Sequence, residues 1–166
     1  NPVGSGQITV TLNNGSSSCG FDSAQFSAPG GAPSGWVLLF GLFSFHADGC
    51  ATGGPLTLVF NYPGALPTGA FFGKFGPTQN QPAHWYSLPA SINGSQLTVT
   101  LTDGGAGDSD LEADGQLADP GGAVYTVGAS AIPTLPNWAL VLMAMLLGGA
   151  GWVVNRGRSA EPRRFG

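Results

Sequence analysis

Residues 7–12 (QITVTL) and 96–102 (QLTVTLT) alternate polar and apolar side chains along their whole length. Successive side chains of a strand point to opposite faces of a sheet, so this alternation is typical of a half-buried β-strand. Residues 36–45 (WVLLFGLFSF) form an apolar, aromatic-rich run with a single glycine inside it. This run predicts a buried strand with a bulge at Gly41.

Further short strands are predicted at residues 56–62, 70–75, 84–88 and 123–127. Clusters of Gly, Pro and Asn separate these stretches, and those residue types favour turns. No segment of residues 1–131 has a helical period. This series of short strands predicts a mainly β domain, an antiparallel β-sandwich, over residues 1–131.

The chain carries few charges. Asp, Glu, Lys and Arg make up 8% of its 166 residues, against roughly 25% in an ordinary soluble domain. Lys and Arg number five, so the chain lacks the basic surface that nucleic acid requires. The sequence has no nucleophile elbow and no phosphate loop, and it offers little material for acid–base catalysis. We therefore expect neither an enzyme nor a nucleic-acid-binding protein.

The first residue and the cysteines point to export. The chain begins at Asn1 rather than Met, which favours a mature chain whose signal peptide has been removed. Cys19 and Cys50 are the two cysteines. In an exported chain such a pair predicts one disulfide. The alternative is two free, buried thiols.

An acidic stretch is the candidate metal site. Its carboxylates stand at positions 1, 3, 5, 7 and 12 of a twelve-residue window, which are ligand positions of a calcium loop. These residues are Asp108, Asp110, Glu112, Asp114 and Asp119. Calcium is therefore the one candidate cofactor. The alternative is a set of solvated turns, in which Asp side chains cap backbone N–H groups.

The C-terminal part changes character. Residues 132–137 predict a proline-containing linker, residues 138–155 a hydrophobic α-helix, and residues 156–166 a basic tail. The helix is uncharged and just long enough for a bilayer core. Four arginines would act as a stop-transfer signal and keep the tail in the cytoplasm: Arg156, Arg158, Arg163 and Arg164.

Two other environments would suit the same helix. It could be buried in a soluble core, or it could pack among copies of itself in a polymer. Ala144, Gly148 and Gly151 are small residues that allow helix backbones to approach closely.

Two resemblances add to these expectations. Ile132, Pro133, Thr134, Leu135 and Trp138, followed by the apolar stretch and the arginines, resemble an IPTL-CTERM sorting signal. That resemblance implies export in a Gram-negative bacterium, transient anchoring in the inner membrane and handling by an exosortase-type enzyme. Residues 20–125 resemble the choice-of-anchor U domain through the motifs FGPT (75–78), HWYSLP (84–89), DGGAGDSD (103–110) and DPGG (119–122). This second resemblance implies a surface address and no enzymatic activity.

Two functions fit these features. We expect a structural subunit that self-assembles into an extracellular filament or layer, with copies of itself as its partners. The alternative is a membrane-anchored adhesion module that binds polysaccharide. In that case His84, Trp85 and Tyr86 would stack on sugar rings, unless Trp85 packs into the core and its two neighbours point outward.

Overall fold

The computed structural model describes residues 1–13 and 18–128, which form two antiparallel β-sheets and contain no helix. Within these residues there is accordingly no helix able to cross a membrane. The strands are β1 Thr9–Asn13, β2 Gly20–Ser27, β3 Trp36–Leu38, β4 Leu42–Asp48, β5 Pro55–Asn61, β6 Phe71–Thr78, β7 Gln81–Leu88, β8 Ala90–Asn93, β9 Gln96–Thr102 and β10 Leu117–Thr126. The mainly β prediction is confirmed. The predicted linker, helix and tail lie outside the described residues, and the domain boundary at 131 stays a prediction.

The smaller sheet has the order β1-β5-β9-β8. Its register places Leu58 of β5 opposite Val99 of β9, and Phe60 opposite Leu97. These four side chains are at most 1% exposed, while the residue between the two on each strand, a valine in β5 and a threonine in β9, faces the other side of the sheet. The polar–apolar alternation in residues 96–102 therefore predicted both the strand and its buried face.

The larger sheet has the order β2-β4-β10-β6-β7, and β3 also pairs with β10. One edge of β10 pairs first with β4 and then with β3, and the other edge pairs with β6. The run at residues 36–45 is therefore two strands and not one bulged strand. The break falls at Gly41, whose φ of 88° is in the region that favours glycine.

The core lies between the two sheets and is rich in aromatic rings. The Phe60 ring of the smaller sheet lies 5.4 Å from the Phe43 ring and 5.7 Å from the Phe72 ring, both of the larger sheet. Such contacts between rings of facing sheets define a β-sandwich. The two antiparallel sheets of the predicted sandwich are thus confirmed.

The sequence analysis missed two whole strands, β2 and β8, and the first half of β10. The edge strand β2 is polar and mostly exposed, so it lacks the alternation that reveals a half-buried strand. The first half of β10 contains Pro120, Gly121 and Gly122, which resemble a turn. The structure explains the glycines, because a Cβ on Gly121 would lie 2.5 Å from Cζ of Phe72 and one on Gly122 would lie 2.7 Å from the Gly41 carbonyl. Close packing against neighbouring strands therefore requires glycine here.

The predicted disulfide is confirmed: Cys19 and Cys50 are joined, with a sequence separation of 31. It connects the segment before β2 with the loop after β4. Replacing both cysteines by serine is expected to lower the free energy of unfolding by about 2–5 kcal/mol, because the unfolded chain regains the entropy of the open loop. Urea unfolding of both proteins measures the difference. Added reductant should destabilise the wild type only, and equal stability of the two proteins would contradict the prediction.

Candidate functional site

A buried ion pair lies at one end of the core. Lys74 of β6 and Asp119 of β10 point inward from neighbouring strands, and their side chains are 0% and 1% exposed. The Lys74 Nζ lies 2.7 Å from Oδ1 of Asp119. It also donates hydrogen bonds to the Phe75 carbonyl at 3.2 Å and to Oγ of Ser109 at 2.9 Å. The ammonium is thus held from three sides in a dry interior.

The Asp119 carboxylate has fewer hydrogen-bond partners than the Lys74 ammonium. Its contact with Lys74 is short but not aligned as a hydrogen bond, and no other described group donates an aligned hydrogen bond to either Asp119 oxygen. Burial raises the pKa of Asp119 from 3.8 to about 6, although the charge of Lys74 lowers it. A charged carboxylate at this position is therefore costly.

The loop between β9 and β10 closes this end of the sandwich through two buried aspartates. Asp103 accepts the N–H groups of Gly53 at 2.7 Å and Gly115 at 3.0 Å. Asp108 accepts those of Gly104 at 2.9 Å and Ala118 at 3.4 Å. Burial raises the pKa of Asp108. Both carboxylates bind the loop to its surroundings and so position Ser109 over Lys74.

The five predicted calcium ligands do not converge. Asp110 and Asp114 accept the N–H groups of Glu112 and Gln116 at the surface, each at 2.9 Å. Asp108 and Asp119 are committed to the buried contacts described above. Within residues 1–13 and 18–128 no group of three or more His, Cys, Asp or Glu side chains could hold a metal ion. The geometry gives the calcium loop no support and matches the alternative, in which Asp side chains cap backbone N–H groups.

Calcium addition provides a direct test of this geometry. Because Asp108, Asp110 and Asp114 already accept backbone N–H groups and Asp119 faces Lys74, we expect the melting temperature to be the same in millimolar calcium and in EDTA. Differential scanning fluorimetry measures it, with magnesium as the control for ionic strength. A melting temperature that rises with calcium and not with magnesium would instead indicate a calcium site.

An aromatic cluster covers the outer face of the larger sheet. We define it by Trp36, Phe71, Phe75 and Trp85, whose rings contact one another at centroid distances of 4.8–6.1 Å. Phe75 is 39% exposed, and Nε1 of Trp85 donates to the Gly31 carbonyl at 2.7 Å. Trp85 therefore lies outside the core, whereas Tyr86 packs against the core. This is the reverse of the alternative in which Trp85 packs into the core and its two neighbours point outward. Next to the cluster is an open cleft of about 500 Å³, lined by Trp36, Phe71, Pro89 and Thr126 among others.

The comparisons with known proteins concern the other end of the chain. The family model described as the IPTL-CTERM motif matches residues 130–159. This motif is a C-terminal sorting signal, and it indicates export and sorting to the cell surface. No curated protein and no solved structure matches the chain. The resemblance to the choice-of-anchor U domain stays a prediction.

The predicted site residues thus divide into two groups. The disulfide and the acidic residues are described above. The sorting motif with Trp138, the small residues Ala144, Gly148 and Gly151, and the four arginines lie outside the described residues. Sequence analysis missed Lys74 entirely. The sequence did contain a feature that could have revealed it, because Lys74 is the one lysine of the chain and stands in the apolar stretch FFGKFG.

Proposed function

We propose that the chain is a non-enzymatic exported surface protein of a Gram-negative bacterium, whose β-sandwich is a structural subunit of an extracellular filament or layer. The sorting signal at residues 130–159 supports the surface address. The proposal includes transient anchoring in the inner membrane and handling by an export and sorting machinery. In the assembled state, copies of the chain are its main partners.

The open edge of the larger sheet carries this proposal. β2 forms that edge, and its stretch from Ser23 to Ser27 carries no charge and is largely exposed. Natural edge strands are usually protected by lysine, proline or another charge against pairing with further strands. The described residues contain a single lysine and no arginine, and that lysine is buried. Asp22 and the irregularity beside it protect only the start of β2, so the Ser23–Ser27 part of this edge is suited to strand addition by a neighbouring copy.

Two glutamine-to-lysine variants test the assembly role of this edge. Gln25 lies on β2, while Gln79 lies in the turn between β6 and β7, and both are exposed. Sedimentation velocity of the full chain in detergent-free buffer should show large assemblies for the wild type and for Gln79→Lys, and smaller species for Gln25→Lys. A monomeric wild type, or an equal effect of both lysines, would refute the proposal.

The aromatic cluster favours the second candidate, an adhesion module that binds polysaccharide. Rings of Trp36 and Phe71 line an open cleft, and exposed aromatic faces provide large apolar contact surfaces. A chain that ends after Ala131 distinguishes the two functions. An adhesion module should remain a monomer that is retained in polysaccharide affinity gels, and Trp36→Ala should abolish the retention. A subunit that assembles through its C-terminal segment should lose its assemblies on truncation and show no retention.

A further inference from the structure

We propose that Lys74 and Asp119 form an intramolecular isopeptide bond that joins β6 to β10. The inference rests on the placement of the two side chains. The register sets Lys74 opposite Gly121, two residues along from Asp119, and both reacting groups point into the core. The amine nitrogen is already 2.7 Å from a carboxyl oxygen, so no rearrangement of the strands is needed to bring the reacting atoms together.

Burial favours the uncharged forms of the two groups, an amine and a carboxylic acid. A buried ion pair gains little stability over an apolar pair, because both charges lose their hydration. Neither Asp119 oxygen receives an aligned hydrogen bond from the described residues, so the adjacent Lys74 charge is the main influence that favours the charged carboxylate. Transfer of one proton from Nζ to the carboxylate gives an amine and a carboxylic acid, which a dry interior tolerates better than two charges.

The reaction is a balanced condensation. The Nζ lone pair attacks Cγ of Asp119, a C–N bond forms, and a C–O bond breaks as the hydroxyl leaves. The departing hydroxyl takes up a proton lost by the nitrogen, so one water molecule is released. No oxidant, reductant or other reactant is required. The carboxyl group needs no prior activation, because the amine is held next to it. Well-oriented intramolecular groups reach effective concentrations of about 10⁵–10⁸ M.

Neighbouring groups hold the reactants in place. Ser109 Oγ and the Phe75 carbonyl accept hydrogen bonds from Nζ and so fix the position of the nucleophile. Asp108 accepts the N–H of Ala118, the residue before Asp119, and thereby fixes the start of β10. These groups are positioning residues. Ser109→Ala should therefore slow the formation of the bond without removing either reacting group.

The location of the bond fits a protein held at the surface through its C-terminal end. β10 is the last described strand, and the chain continues from it towards the sorting signal at residues 130–159. Force applied from that end reaches β10 first. A covalent bond between Asp119 and the neighbouring strand β6 would prevent β10 from being pulled out of the sheet.

Intact mass and peptide mapping of the folded full chain test the proposal. The wild type should be lighter than its sequence, with the disulfide taken into account, by the mass of one water molecule. A peptic digest should yield a branched peptide that contains Lys74 and Asp119. After denaturation an amine-reactive reagent should label the N-terminus and leave Lys74 unlabelled, which is informative because the chain has no other lysine.

The variants exclude other sources of water loss. Asp-Gly sequences at 48–49, 103–104 and 114–115 can lose water by cyclising onto the next backbone N–H, but Asp119 cannot, because Pro120 has no N–H. Lys74→Arg and Asp119→Ala should restore the full mass, while Asp22→Ala, at an exposed acid, should retain the loss. Separate, unmodified Lys74 and Asp119 peptides from the wild type after prolonged incubation would overturn the proposal. That result does not depend on whether any variant folds.

Discussion

Replacement of Phe60 by alanine is expected to lower the free energy of unfolding by about 3–5 kcal/mol. The ring is fully buried and contacts rings of the facing sheet at Phe43 and Phe72. Its loss would leave a cavity between the sheets that neither backbone can close. Urea unfolding followed by tryptophan fluorescence measures the change.

Phe75→Ala provides the matched control, because it removes the same side chain from the outer face. Phe75 is 39% exposed and contacts Trp85 at a centroid distance of 5.6 Å. We expect its loss to cost less than about 1 kcal/mol. Equal effects of the two substitutions would contradict the placement of the core between the sheets.

Lys74→Met is expected to be less stable than the double variant Lys74→Met/Asp119→Leu by about 3–5 kcal/mol at neutral pH. The single variant leaves Asp119 buried without a positive partner, whereas the double variant removes both charges and keeps the volume filled. Both proteins lack Lys74, so the comparison does not depend on a bond between the two residues. Thermal and urea unfolding at pH 7 measure the difference.

The pH dependence of this difference has a definite sign. Burial raises the pKa of Asp119 from 3.8 to about 6 even with Lys74 present, and removal of the lysine raises it further. A folded-state pKa above the unfolded value means that the contribution to stability is full below pH 4 and is lost as the pH rises through the folded-state pKa. The deficit of the single variant should therefore shrink on acidification below pH 4. A deficit that grows on acidification would contradict the burial of Asp119.

The sequence predicted those parts of the fold in which one face of a strand is buried. The stretch 96–102 shows this best, because its alternation matches β9 residue by residue. The edge strand β2 could not be found in this way, since most of its side chains are exposed. The start of β10 was also missed, because Pro120 and two glycines resemble a turn when their packing against Phe72 is unknown.

The candidate site was harder to predict for a related reason. Spacing grouped Asp119 with the acidic residues before it, and only strand pairing shows that it points into the core beside Lys74. Asp103 was not singled out as a site residue, although it bridges two loops through Gly53 and Gly115. The role of each carboxylate depends on contacts with residues that are distant in the sequence. A single sequence does not reveal those contacts. The disulfide was predicted because it depends on two residues and on the redox compartment alone.

Electron microscopy of the native chain tests the proposed surface role most directly. Material would be sheared from cells without detergent, examined by negative stain, and analysed for intact mass in the same sample. We predict filaments or layers that contain this chain as their main component, and we expect the Gln25→Lys variant to reduce their length. Dispersed single particles from cells that display the protein at their surface would contradict self-assembly.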